Sequence, residues 1–282
     1  MSFSSRLRSI PAILAVAGVG FAACADEPQT PTGPGPDENI GVELDQQLTA
    51  KLVSSEMTGR IEETLEARLG RPVDDQLAEV GRLLFFDPVL SITEDNSCSG
   101  CHGPNASFND SQSISVGIEN NGVVGPGRAG PRNLRRAPTV INSAFYPKLM
   151  WDGRFQSHAL DPFDNSSGFG FPQPEGNSLS NLDHLLAAQA FTPVVAREEM
   201  AGFDVQGDND AIRSVIEQRV DGIAEYRASF AEVYPAIAAG APIEYRHIAE
   251  ALAEFQFTLV RANAPVDQGR LLRVPHHPGL LE

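Results

Sequence analysis

Two thiols and an imidazole crowd into five positions of this chain: Cys98, Cys101 and His102 in "NSCSGCHGP". The only other cysteine, Cys24, lies far upstream, so no second thiol pair is at hand to complete a four-ligand zinc site. A redox dithiol would not require the histidine, and would sit in a βαβ pattern that is missing here. C-x-x-C-H is the spacing of covalent haem c attachment. Two cysteines on one turn each add to a vinyl group of the ring, and the adjacent histidine supplies the proximal iron nitrogen. One covalent haem c is therefore the expected cofactor, with Cys98 and Cys101 as thioether anchors and His102 as the iron ligand.

The elements that must position this site are mostly helical. Apolar residues recur at helical spacing in "VELDQQLTAKLVSSEM", "RIEETLEARLG" and "DDQLAEVGRLLFF", the last stopped by Pro88. Periodicity then fades from Asp87 to about Asn177, a stretch rich in Gly, Pro, Asn and Ser. Loops of that length in a compact domain usually serve a function or wrap around something. Helical spacing resumes in "NLDHLLAAQA", "NDAIRSVIEQRV", "IAEYRASFAEVY" and "IEYRHIAEALAEFQFTLVRAN". In the last, Ile248, Leu252, Phe255 and Leu259 share one face. No strand alternation persists and no internal repeat is evident. The expected class is mostly α, with long loops and a cofactor built into the core.

The first residues read as an address. Arg6 and Arg8 precede an apolar run from about Ile10 to Ala23, too short and wrongly flanked for a spanning helix. Residues 1–23 form an export signal. "FAAC" is similar to a lipoprotein processing box that leaves Cys24 lipidated, whereas Ala23-Cys24-Ala25 would serve a plain cleavage. The lipoprotein reading is favoured because residues 24–40 look like a disordered, Pro-rich tether. Both readings place the protein outside the cytoplasm, in the periplasm, touching a membrane only through a lipid. The net charge of -16 argues against nucleic acid or a bare anionic membrane as partner.

"GRLLFFDPVLS" before the haem motif, "CSGCHGPNASFND" across it, and "RAPTVINSAF" and "MWDGRF" after it resemble the bacterial di-haem cytochrome c peroxidase family. That family also contains the enzyme that matures methylamine dehydrogenase. The resemblance runs from about Leu77 to Asp267, with the motifs in the family's order. It implies a cytochrome-c-like haem domain over residues 41–267 that reduces hydrogen peroxide to water, with electrons from a small donor protein such as a cytochrome c. It also implies roles for three further residues. Glu199 in "REEM" matches the distal acid/base, Gln189 in "AAQAF" the residue that orients bound peroxide, and Trp151 in "MWDGR" the tryptophan that relays electrons between two haems. Without the resemblance, Trp151 would equally be ordinary core packing, and Glu199 a solvated surface residue.

Departures from the family's pattern carry their own expectations. Many members place a second histidine in the loop after "SVG", but here that loop reads "SVGIENNGVVGPGRAG" and no histidine lies between His102 and His158. The iron is therefore expected to be open at rest; His158 and His184 are the remaining candidates to intrude as ligands, though a histidine in such a position is more often a surface or helix residue. Arg136 falls where the family uses an asparagine for calcium, and a cation there repels calcium, so no calcium site is expected from this chain. Residues 268–282, including His276 and His277, form a divergent tail where the family continues into a second haem domain. Either the reading frame is truncated, which is favoured, or that domain is a separate chain. A lone haem would leave Trp151, Tyr146 and Tyr245 as candidate radical sites. Competing expectations are a mono-haem electron carrier or inactive fragment, with Met150 and Met200 as the available sixth ligands, and a haem that oxidises a protein or small substrate. The acidic segment 160–177 could be a metal loop, but a surface loop walling the haem pocket or offering a docking face is favoured.

Overall fold

The computed structural model describes residues 38–55, 60–172, 175, 179 and 181–262. The expected export signal, Cys24 as the expected lipidation site, most of the expected tether and the tail with His276 and His277 lie outside the described residues. Helix α1, Glu38–Ser54, belongs to a unit of its own that ends at Met57. Everything else belongs to the unit from Thr58 onward.

That unit is built on one helix pair. Helix α3, Asp75–Phe86, follows the short α2, Leu65–Leu69. Asp74 caps α3 by accepting the Leu77 N–H at 2.9 Å, and Pro88 follows its end. Its buried face is Leu77, Ala78, Val80, Gly81, Leu84 and Phe85. Helix α9, Tyr245–Phe257, opens with a capping box between Glu244 and His247 and is buried almost all round. The two cross at Gly81, where an added Cβ would sit 1.8 Å from the Ala251 carbonyl oxygen. Only glycine allows that approach. Glu254, 1% exposed on α9, accepts both Arg71 guanidinium nitrogens at 2.8 Å and the Asp74 N–H at 2.5 Å, tying the start of α3 to its partner.

Around this pair pack α5, Leu185–Gln189, α6, Asn209–Asp221, α7, Ala224–Val233, and α8, Pro235–Ala238. Ile248, Leu252, Phe255 and Leu259 all enter the larger core cluster, as their shared face implies. A second cluster gathers Phe155, Leu185, Leu186 and Phe257 on the other side of α9. Burying each of these large side chains contributes about 1.5–3 kcal/mol. A three-stranded antiparallel sheet also appears: β1, Lys148–Leu149, β2, Phe155–Ser157, and β3, Phe169–Gly170. Leu149 pairs with Phe155, and Ser157 with Phe169. Strands of two or three residues are too short to leave an alternating pattern, which is why the sequence showed none.

Between α3 and α5 the chain is irregular, and side chains take over the work of a ladder. Gln112 donates to the carbonyls of Gly125, Pro126 and Arg128, and Arg128 to those of Val116, Val123 and Gly117. Backbone groups with no helix or sheet to join are satisfied this way. Residues 160–172 are more than a surface loop. Asp161 holds Arg68 at 2.5 Å, Asn165 donates to the Leu182 carbonyl, and Phe163, Phe169 and Phe171 pack on the second cluster. Among the described residues no helix is long and apolar enough to cross a membrane.

Candidate haem-binding and acid/base site

The attachment motif forms a single helical turn, α4, Cys98–Cys101, closed by the His102 N–H on the Cys98 carbonyl at 2.8 Å. Both cysteines are free thiols. Burial pushes each thiol up to about 12, so both are protonated at neutral pH. His102 Nδ1 lies 2.9 Å from the Pro138 carbonyl oxygen. A carbonyl only accepts, so Nδ1 carries the proton and Nε2 keeps its lone pair for a metal. Burial lowers the His102 pKa and favours that neutral form. The Phe85 ring stands 6.4 Å from the imidazole, with Phe108 and Phe255 behind it at 6.0 and 5.1 Å from Phe85. Two thiols on one turn and an imidazole with a fixed tautomer and an apolar backing fit a covalently bound haem c.

Glu199 approaches from another part of the chain. It sits in a π-turn, Arg197–Ala201, where the Ala201 N–H reaches the Ala196 carbonyl and the Gly202 N–H the Arg197 carbonyl. Desolvation raises the Glu199 carboxyl above the ordinary range, Arg154 opposes the shift and Glu198 adds to it. The charge of Glu199 in turn adds to the upward push on both thiols. Its backbone is clamped. Asn96 Nδ2 donates to the Glu199 carbonyl at 2.8 Å, the Ile118 N–H to the Glu198 carbonyl at 3.3 Å, and Ser91 and Ile92 to the Met200 carbonyl at 3.0 and 2.9 Å. Gly117 permits the contact, since a Cβ there would meet the Glu198 oxygen at 1.9 Å and Glu199 Cα at 2.9 Å.

Asn96 faces both ways. Its Oδ1 accepts Arg128 Nη2 at 2.6 Å, and the same guanidinium donates to the Val116 and Gly117 carbonyls at 2.8 and 3.1 Å. Arg128 is 6% exposed and packs against Gly100, where a Cβ would stand 2.4 Å from Asn96 Oδ1 and 2.9 Å from Arg128 Nη2. Asn96 and Arg128 thus join the C-x-x-C-H turn, the "SVG" loop and the turn that carries Glu199. Sequence reading missed both. The glycines at 100 and 117 were the available signal, because an invading side chain or backbone needs a residue without Cβ.

The other expected residues fall as follows. Gln189 ends α5, half-buried, and its neighbour Ala190 shares the larger core cluster with Met200 and, at its margin, Cys98. Trp151 is 68% exposed, so the core-packing alternative is overturned; its Nε1–H donates to the Arg136 carbonyl at 3.0 Å, two residues before Pro138. His184 is a helix cap. Its Nδ1 accepts the Leu186 N–H at 3.0 Å while Nε2 reaches the Ala144 carbonyl at 3.1 Å, and burial pushes its pKa down to about 3. Both nitrogens are occupied, so it is no intruding ligand. His158 is exposed beside β3. Arg136 turns its guanidinium onto the Asp110 carbonyl. Tyr245 is buried with its hydroxyl on the Ala190 carbonyl, and Tyr146 is 45% exposed.

Residues 75–271 match the family model described as di-haem cytochrome c peroxidase. The methylamine utilization protein MauG of Methylophilus methylotrophus is 29% identical over 206 residues, which is 73% of this chain and 46% of that protein. The cytochrome c551 peroxidase of Pseudomonas aeruginosa is 29% identical over 206 residues, 73% of this chain and 45% of its own. The chain therefore spans about half the length of these relatives. Among solved structures, a MauG-like protein associated with microbial copper homeostasis superposes with a TM-score of 0.50 at 23% identity, over 73% of this chain and 46% of that one, a likeness of fold.

Proposed function

The chain belongs to the di-haem cytochrome c peroxidase family, and on that premise we propose that it is a peroxidatic haem c unit that reduces hydrogen peroxide to water with electrons from a small redox protein. The observation that carries this reading is the Asn96 clamp, which holds the Glu199 turn against the segment bearing Cys98, Cys101 and His102. Cys98 and Cys101 would hold a single haem through thioethers, and His102 Nε2 would ligate its iron. The haem, when bound, supplies the iron that takes up peroxide and the electrons that break its O–O bond.

The chain's own residues handle protons and orientation. Glu199, as carboxylate, removes the proton from the near peroxide oxygen and delivers it to the far one, which leaves as water. A carboxyl raised above its ordinary range is better matched to both halves of that transfer near neutral pH. Gln189 orients the peroxide by hydrogen bonding. Pro138 keeps the imidazole of His102 in the tautomer that ligates. Trp151, exposed and tethered to Arg136, is the contact towards a second haem domain, on this chain's continuation or on a separate protein. Export to the periplasm and lipid anchoring through Cys24 complete the reading.

The test is an optical spectrum of exported protein matured with haem c, before and after one equivalent of hydrogen peroxide. A high-spin ferric spectrum that changes within seconds, and more slowly in Glu199→Gln, is expected. A low-spin spectrum indifferent to peroxide refutes the peroxidase reading and favours an electron carrier.

A further inference from the structure

Beside the attachment turn lies a buried carboxylate that the reaction above does not use. Asp110 is 3% exposed; its Oδ1 accepts the Gln112 N–H at 2.6 Å, and its Oδ2 has no hydrogen-bond partner among the described residues. Burying an anionic oxygen without a donor is unfavourable. No guanidinium hydrogen bond reaches that oxygen among the described residues: Arg136 places Nε and Nη2 on the Asp110 backbone carbonyl, at 2.9 and 2.6 Å.

Two backbone contacts fix this residue against the proximal histidine. The Asn109 carbonyl accepts the N–H of Gly103, the residue after His102, at 3.2 Å. The Asp110 N–H reaches the carbonyl of Ala137 at 3.4 Å, one residue before the Pro138 that holds His102 Nδ1. The charge of Asp110 accordingly acts on both His102 and Cys101, favouring the protonated form of each. We infer that Asp110 is a positioning residue of the proximal side, whose buried carboxylate contributes to the field at His102 and holds the reduction potential of the bound haem low. A negative charge in a poorly screened interior favours the ferric state, which carries one more positive charge than the ferrous.

The inference rests on haem attachment at Cys98, Cys101 and His102. The experiment compares haem-loaded wild type, Asp110→Asn, Asp110→Ser and Asp110→Glu by haem quantitation, circular dichroism and spectroelectrochemical titration at one pH and salt. Asp110→Asn keeps the shape and removes the charge. It is expected to shift the ferric/ferrous equilibrium at least tenfold towards ferrous, which is 59 mV for one electron, and Asp110→Glu to return towards wild type. A wild-type potential in a fully loaded neutral variant overturns the inference. If both neutral variants fail to load while Asp110→Glu loads, the carboxylate serves folding and the inference is likewise overturned. A wild-type chain that attaches no haem refutes the site assignment itself, an outcome told apart by the haem quantitation.

Discussion

Substituting alanine for Gly117 tests the clamp on Glu199 without touching a group that binds haem or moves a proton. The added Cβ would lie 1.9 Å from the Glu198 oxygen. An ordinary C···O contact is about 3.3 Å, so the π-turn must retreat by roughly 1.4 Å. That movement stretches the Ile118–Glu198 and Asn96–Glu199 hydrogen bonds, now 3.3 and 2.8 Å, and carries the carboxylate with it. A displacement of about 1 Å in a positioned catalytic group can cost on the order of 10²-fold in rate, or about 2.7 kcal/mol. The expected result is haem content like wild type, a stability loss of about 1–3 kcal/mol from overpacking, and kcat/KM for peroxide down about 10²-fold. The assay is stopped-flow peroxide consumption by haem-loaded protein with a small-molecule reductant, beside urea unfolding. Because the damage is routed through Glu199, Gly117→Ala combined with Glu199→Gln should lose little more than Glu199→Gln alone. A fully loaded Gly117→Ala with wild-type kcat/KM, or a double variant whose losses multiply, would falsify the clamp.

Three further outcomes follow from the same geometry. Because desolvation raises the Glu199 carboxyl, kcat/KM should climb with pH through an apparent pKa above the ordinary glutamate value, and Glu199→Gln should flatten that limb; a wild-type profile breaking at the ordinary value would count against it. Arg128→Lys keeps the charge but not the fork that serves Asn96 and three carbonyls, so it should destabilise by about 2–4 kcal/mol in urea titration and disturb the haem spectrum, whereas equal stability would mean the fork is dispensable. His184 stays neutral in the fold down to about pH 3 while the unfolded chain takes up a proton near 6.5, so stability should fall as pH drops through that window. His184→Asn retains a capping oxygen and should remove that loss, read from thermal melts between pH 7 and 4.

The legible parts of the sequence were those with a local period or a local motif. Helices α3, α6, α7 and α9 fell where apolar spacing placed them, and Pro88 marked the end of α3. The C-x-x-C-H triad proposed to hold haem stood out in the sequence because its chemistry is carried by neighbouring residues. What escaped depends on contacts between segments far apart along the chain. Arg128 is one of several arginines in a loop, and nothing nearby marks it as the one buried beneath Gly100. Asn96 looks like a turn residue until Glu199 arrives from 103 positions away. His184 resembled a ligand candidate because imidazole serves equally as a cap acceptor, and only burial between Ala144 and Leu186 decides the role. The sheet escaped for the opposite reason: its strands are shorter than any pattern that would announce them.

The π-turn at Arg197–Ala201 has one consequence of its own. Its hydrogen bonds span five residues where an α-turn spans four, so it carries a residue beyond what regular winding needs. Removing that surplus, for example by deleting the exposed Glu198, would let the turn rewind and rotate the carboxylate by about 100° about the local axis, a single α-helical residue step. Val194 and Val195 anchor the preceding turn and Met200 and Ala201 the end of this one. The direction of the Glu199 carboxylate is thus a separable dial: one residue gained or lost between fixed anchors would redirect it while the scaffold beneath persists.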